Sequence, residues 1–354
     1  MPIPTEPIGS IPRPPALIDA VEDPSTPPER LAALIDEAVR DTIAQFEATG
    51  SPIITDGEQG KIMGFASYSV HGAPNISPHG YIALPFADGH NRPFPLLLAG
   101  PIRYRLYAAD YVERARRYTN TPIKQAVIAA SALGLIYPPD ELPNYPRATF
   151  LADLVDEAER DIRGCLQAGA VNVQLDFTEG RLAIKFDPSK ELLHSMIDLN
   201  NKVLERFSEA ERRAIGVHTC PGSDQASTHS ADIDYVDLIP DLLRINAGAF
   251  YFQLASEPDR ARALRTIKEH LKPWQRIFVG VIDPINPQIE TPGEVCSRVL
   301  EAADYIPIDQ LGTTDDCGFS PFADDRTRAR DVAFAKIRAR VEGTALAAER
   351  LGVA

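Results

Sequence analysis

Eight short apolar runs, each set against a longer amphipathic stretch, constrain this chain more than any other feature of it. The runs lie near residues 6–10, 52–56, 124–129, 171–176, 214–219, 248–254, 276–282 and 305–310. Helical patterns stand at 28–50, 147–168, 189–207, 234–246, 259–271 and 292–303, and a closing one, rich in Ala, Arg and Glu, at 324–351. Strand–helix alternation of this kind is the βαβ pattern of a parallel sheet. Eight such units predict an α/β fold of the (β/α)8, or TIM-barrel, class. Barrels of roughly 200–400 residues fold as one unit, so the 354 residues are expected to form a single domain, 1–354.

The segment 64–122 is too long for an ordinary strand-to-helix connection. It holds Gly, Pro, His and aromatic residues, with apolar runs at 81–86 and 94–98. It reads as a β-hairpin excursion after the second strand, a lid or wall beside the barrel mouth. His71, His79 and His90 lie on it and either touch substrate or sit on the surface.

Composition removes several function classes. A formal charge of -14 repels phosphates, so no nucleic-acid partner is expected. No run of roughly 18 apolar residues appears, and the N-terminus lacks the basic-then-apolar order of a secretory signal. A cytoplasmic protein with no membrane partner is expected. Four cysteines are too few and too scattered for a disulfide framework. Reduced cysteines are free to bind metal.

Function shows in where polar residues fall. Several predicted strands end in Ser10, Asp56-Gly57-Glu58, Asp176, His218-Thr219-Cys220 and Asp283. In a barrel these ends converge on one face, the face that carries active sites. His218 and Cys220 stand two apart at a strand end and project to one side, and Cys317 follows the last predicted strand. An imidazole and two thiolates suit Zn2+ at about 2.0–2.3 Å, with a further position for substrate. A fourth ligand is sought in 252–259, from Glu257 or, as a weaker donor, Gln253. Cys165 and Cys296 fall inside helical patterns and read as small buried apolar residues. Two thiolates leave such an ion weakly electrophilic, better suited to holding a reactive thiolate than to making hydroxide.

At these residues the chain resembles the cobalamin-independent methionine synthase family, in its C-terminal catalytic barrel. The resemblance runs through IGSIPRP (8–14), ITDGEQGK (54–61), VNVQLDF (171–177), GVHTC (216–220), FVGVID (278–283) and DDCGF (315–319). It implies a barrel of the uroporphyrinogen decarboxylase/methionine synthase type and zinc held by His218, Cys220, Glu257 and Cys317. It also implies that Ser10, Glu58 and Asp176 hold the amino and carboxyl groups of homocysteine. Two carboxylates pair with an ammonium, and hydroxyl and backbone donors receive a carboxylate. Asp283 is expected to orient a ligand or the metal-bound histidine.

Two departures shape the expected reaction. The family's full-length plant and bacterial enzyme has a second, N-terminal barrel, and a histidine two residues after the aspartate matching Asp283; here that position is Ile285. In 174–183 the wording also departs from the family's, leaving Glu179 and Arg181 either to a different second substrate or to each other. The expected activity is zinc-dependent methyl transfer to a thiol, with homocysteine as acceptor and methyltetrahydrofolate or a methylated corrinoid protein as donor. Two further readings stay open: a zinc-thiolate transferase that opens an epoxide or forms another carbon–sulfur bond, and a metal-free decarboxylase-like barrel.

Overall fold

The structure, a computed structural model, describes residues 3–353. Six parallel strands, Lys124–Ile128, Asn172–Asp176, Ile215–Thr219, Ala249–Phe252, Arg276–Ile282 and Leu311–Asp315, lie side by side in chain order. The two remaining staves are single bridges: Thr5 pairs in parallel with Thr313, and Ile54 with Ile123. These edge segments then meet each other, Ile11 N donating to Gly57 O at 3.0 Å and Thr55 Oγ1 to Gly9 O at 2.8 Å. Eight staves thus close into a barrel.

Strands covered on both faces read as near-continuous apolar runs, and Ile215–Thr219, Ala249–Phe252 and Arg276–Ile282 are buried almost throughout. Outside them pack the helices Pro28–Ala48, Arg147–Gln167, Glu191–Leu204, Arg260–His270, Pro292–Ala303 and Arg330–Arg350. Pro292–Ala303 begins where the sequence signals it. Thr291 and Glu294 form a capping box (Thr291 N to Glu294 Oε2, 2.7 Å; Glu294 N to Thr291 Oγ1, 3.2 Å), with proline at the first helical position.

Inside the ring a small apolar layer of Ile8, Ala249, Tyr251 and Phe278 separates two polar levels. Below it Lys124 Nζ lies 3.5 Å from the Tyr251 ring centroid and donates to Pro7 O at 2.7 Å. Glu6 accepts from Tyr251 Oη and from Asn172 Nδ2, each at 2.7 Å. Above it the strand ends carry the candidate site. Gly216 is glycine because a Cβ there would come within 2.5 Å of the Tyr251 ring.

Two expectations are corrected. The last strand is Leu311–Asp315, not 305–310, where the helix Pro292–Ala303 runs out into a 3-10 turn, Ile308–Gln310. The apolar look of Tyr305–Ile308 belongs to that exit, whereas the strand is built of small and polar residues that are nonetheless all buried. The single helix expected at 234–246 is two short turns, Tyr235–Asp237 and Ile239–Leu242, because Pro240 has no N–H to continue the first.

The excursion is a nested hairpin. Ile76–Ser77 pairs antiparallel with Leu96–Leu97, and Ala83–Pro85 with Asn91–Pro93. Arg92 fastens it to the barrel loops: its guanidinium donates to both carboxylate oxygens of the fully buried Asp224 and to Asp324 at 2.7 and 2.8 Å, and lies over the Phe322 ring. Asp224 belongs to the loop after Cys220, and Asp324 to the loop after Cys317. No helix among the described residues is long and apolar enough to cross a membrane. Arg92→Ala is expected to loosen the hairpin by about 2–3 kcal/mol, less than a wholly buried pair because Asp324 is part-exposed. Limited proteolysis should then cut within 76–97 well before the barrel unfolds, and wild-type cleavage kinetics would refute the fastening role.

Candidate functional site

The strand Ile215–Thr219 points His218 into the barrel, and Cys220, two residues on, falls to the same side just past the strand end. Cys317 stands two residues beyond Leu311–Asp315. The ligand atoms of these three buried residues all lie within 4.8 Å of one another. The two sulfurs are 3.0 Å apart.

These residues fit a soft divalent ion on their own chemistry. Both ring nitrogens of His218 are buried without a hydrogen-bond partner, a costly state for an imidazole unless a ligand completes it. Burial pushes the Cys220 thiol up, but the facing Cys317 thiol and the His218 ring outweigh burial and bring it well below its ordinary value. Cys317 is driven the other way, by its hydrogen bond with Cys220 and by burial. One imidazole and two sulfurs with a lowered thiol are a donor set compatible with zinc.

The Cys317 loop is held by its neighbours. Asp316 accepts from Leu254 N at 2.8 Å, Ala255 N at 2.7 Å, and Ser256 N and Oγ at 2.7 Å each. A Cβ at Gly280 would lie 1.9 Å from its Oδ1, so the strand centre must be glycine for that carboxylate to enter. On the other side Ser10 Oγ accepts from Ser320 N at 3.2 Å, and Ser10 O from Phe319 N at 3.0 Å.

Ser10, Glu58, Asp176 and Glu179 line one cavity of about 490 Å3 with His218, Cys220 and Cys317. Glu58 has a left-handed backbone, φ 58°, on a turn begun by Gly57, a conformation that costs a non-glycine residue about 1 kcal/mol or more. Its carboxylate lies 3.4 Å from Lys61 Nζ. Burial, then the charge of Glu58, pushes Asp176 up to about 6. Only Glu58 pairs with that lysine, whereas Asp176 accepts from Gln174 Nε2 at 2.7 Å, so an ammonium placed between the two carboxylates would relieve their repulsion.

Three expected residues stand elsewhere. Glu257 is outside the metal cluster and pairs with Arg181 at 3.1 Å, so the sulfurs and the imidazole meet without it. Arg181 lies over Tyr235 and therefore does not pair with Glu179. Gln253 donates to Ser256 Oγ at 2.6 Å. Asp283 accepts from Ile285 N at 2.9 Å and organises the 283–290 loop; it neither lines the cavity nor bonds to His218. Cys165 and Cys296 are buried free thiols within helices.

The hairpin histidines, expected either to touch substrate or to sit on the surface, divide. His71 and His79 line the cavity, whereas His90 bonds to Asp88 and Asp224 at its edge. His229 lines it too, with its ring over Gly222, where a Cβ would come within 2.2 Å. Burial holds His229 down to about 4, so it is neutral. Only a histidine in a polar loop announced it.

Comparisons with known proteins bear on the family and the fold. A family model described as the catalytic domain of cobalamin-independent synthase matches residues 3–345. The chain is 24% identical over 326 residues to the 5-methyltetrahydropteroyltriglutamate–homocysteine methyltransferase of Herpetosiphon aurantiacus, covering 89% of this chain but 40% of that protein. It is 23% identical over 363 residues to the methionine synthase of Sulfurisphaera tokodaii, covering 99% and 94% respectively. A B12-independent methionine synthase from a Shewanella species has the same fold, with a TM-score of 0.78 at 18% identity over 100% of both chains.

Glu179 offers a test of the cavity's electrostatics. Ser131 Oγ donates to its Oε1 and is itself held by Asn200, while Oε2 is buried without a partner. Burial pushes this carboxyl up to about 8 from an ordinary 4.5. The unfolded chain releases the proton above the lower value and the folded chain only above the higher. Stability from this group is therefore complete at low pH and is lost as pH rises from 4.5 to 8. Glu179→Gln should lose less stability across that window than wild type, by up to about 1.4 kcal/mol for each pH unit. Urea midpoints of the metal-free protein at both ends of the window measure it, and parallel losses would refute the buried, protonated carboxyl.

Proposed function

The chain belongs to the family of cobalamin-independent synthase catalytic domains, and from that premise we propose that it transfers a methyl group to the thiol of homocysteine, with zinc held by His218, Cys220 and Cys317. The observation that carries this reading is the convergence of three buried soft ligands around an imidazole with neither nitrogen satisfied. Residues 1–354 would act as one catalytic unit in a reducing, cytoplasmic setting that keeps the cysteines free.

Zinc, when bound, would favour the thiolate form of the acceptor at neutral pH, where a free thiol of pKa about 8.5 is mostly protonated. The chain's own residues do the rest. Glu58 and Asp176 receive the ammonium of the amino acid, and the Ser10 hydroxyl with nearby backbone N–H groups receives its carboxylate. That grip aims the sulfur along the cavity, toward the wall built by the hairpin. The donor, a methyltetrahydrofolate of the kind in the Herpetosiphon relative's name, is held there with water excluded, and its methyl carbon is attacked in line. The methyl–donor bond breaks, and its electron pair leaves with the donor, which needs a proton. Glu179 keeps its proton at neutral pH and stands in the same cavity to supply one.

Metal quantification followed by mass analysis of the product tests this directly. Stoichiometric zinc and conversion of homocysteine to methionine are expected, and a protein that takes up no zinc would overturn the reading. Cys220→Ser and Cys317→Ser should each lose most of the zinc and the activity while keeping the wild-type circular dichroism. Asp176→Asn should keep its zinc and raise KM for homocysteine about tenfold or more, the loss of one charge-assisted bond. An unchanged KM would remove Asp176 from the acceptor site.

A further inference from the structure

The walls of the cavity away from the metal cluster are apolar. Ile76, Leu84, Phe86 and Phe94 of the hairpin face Leu135 and Leu182 of the barrel. Arg92 is the only lysine or arginine among the lining residues, and its fork is already taken by Asp224 and Asp324. Cations behind the wall are turned elsewhere: Arg181 pairs with Glu257, and Lys61 with Glu58 and with Ala126 O at 3.1 Å. Arg328, behind Ser223, donates to Phe319 O and faces Asp325 at 3.7 Å, its two unpartnered nitrogens, Nε and Nη2, being buried. Three carboxyl groups, Glu58, Asp176 and Glu179, line the same space. Of the four lining histidines, His218 belongs to the metal cluster, His79 sits exposed on the hairpin, His71 is held below its ordinary range by burial and Arg105, and burial holds His229 down to about 4. An anion seated against these walls, away from the metal cluster and from the Ser10 end proposed for the amino-acid carboxylate, would lose its hydration and meet no free lysine or arginine among the lining residues, the costliest kind of burial, in a chain that already carries -14.

We infer that the donor is recognised in this cavity as an uncharged, apolar molecule or moiety, and that no anionic group of the donor is bound inside it. The inference rests on the proposed reaction only in naming the occupant as the methyl donor; the chemistry of the walls stands without it. A folate donor would be gripped by its ring system, and its glutamate tail would go unread.

The test uses the full-length, zinc-loaded protein with saturating homocysteine, so that the metal and the amino-acid end are filled, and a pair of probes of one shape, 2-naphthamide and 2-naphthoate, with dissociation constants measured at neutral pH. The amide is expected to bind at least about tenfold more tightly, with an affinity that added salt leaves unchanged. Equal binding, or tighter binding of the carboxylate, overturns the inference. Leu84→Lys places a free ammonium on the part-exposed hairpin wall and should erase or invert the preference. Ile76→Lys on the neighbouring strand gives the same test should the first variant lose its fold. A preference untouched in a folded variant means that the probes bind elsewhere and also overturns it. With methyltetrahydrofolate, KM should agree within about twofold between one and three glutamates, and a tenfold gain from the longer tail overturns the inference. Absence of any methyl transfer, with probe discrimination intact, would instead defeat the proposed reaction and leave the assignment of the cavity standing.

Discussion

Closure of the barrel by its N-terminal segment is the constraint on which the site depends. Residues 4–6 pair with Thr313, and the chain then runs up the inside of the ring to Ser10, which is bonded to residues 319 and 320. A Cβ at Gly318 would lie 2.1 Å from Ser10 Oγ, so the Cys317 loop can approach only because that position has no side chain. Arg13, buried, donates to Glu58 O and Lys61 O on one side and to Ser320 O and Phe322 O on the other. The first, second and eighth staves are therefore held by one another, and Glu58 and Cys317 keep their separation through that lock. A barrel left open at this seam would keep six good strands and lose the site.

Charge placement separates scaffold from site. Deep in the barrel Glu6, Lys124 and Arg340 are compensated by each other, by Asp315 or by backbone carbonyls. At the rim Lys61 pairs with Glu58 only, Asp176 is left with Gln174, and neither ring nitrogen of His218 has a hydrogen-bond partner. Buried polar groups are satisfied as a rule. Unpartnered atoms are not confined to the rim, since Arg340 Nε and Nη2 and Asp315 Oδ1 also lack partners. What marks the rim as a place for a ligand is that its unpartnered atoms, on Glu58, Glu179 and His218, belong to residues that border one cavity.

Much of this was legible in the chain because strand ends combine two separable signals. An apolar run locates a strand, and a polar residue at its end has no reason to be there for packing; His218, Cys220, Asp176, Glu58 and Ser10 all declared themselves that way. Leu311–Asp315 did not, since a buried strand of Gly, Thr and Asp has no hydrophobic signature, yet Cys317 was still singled out because it follows closely on the run at 305–310 and stands in DDCGF. Glu257 looked like a metal ligand because a carboxylate near a strand end is a fair candidate. Its partner Arg181 lies 76 residues away, and no spacing rule connects them. Asp316 was hidden for the same reason: its work is done on backbone N–H groups about 60 residues earlier.

The hairpin carries the remaining specificity, and its mode of attachment explains how. It contributes little to the barrel's closure, yet Arg92 ties it to both loops that follow the cysteines. Ala87 N, also on the hairpin, donates to Thr228 O at 2.8 Å in the first of these loops. An apolar wall needs a firm anchor, because greasy contacts alone are non-directional and would let it slide over the mouth. The anchoring guanidinium is directional and is spent on carboxylates, so it fixes the wall without lending its charge to the cavity. The interaction that positions the wall is thereby the one that keeps it uncharged. In the proposed reaction the barrel rim then holds an amino-acid thiol by charge while the opposite wall selects its partner by shape and apolarity.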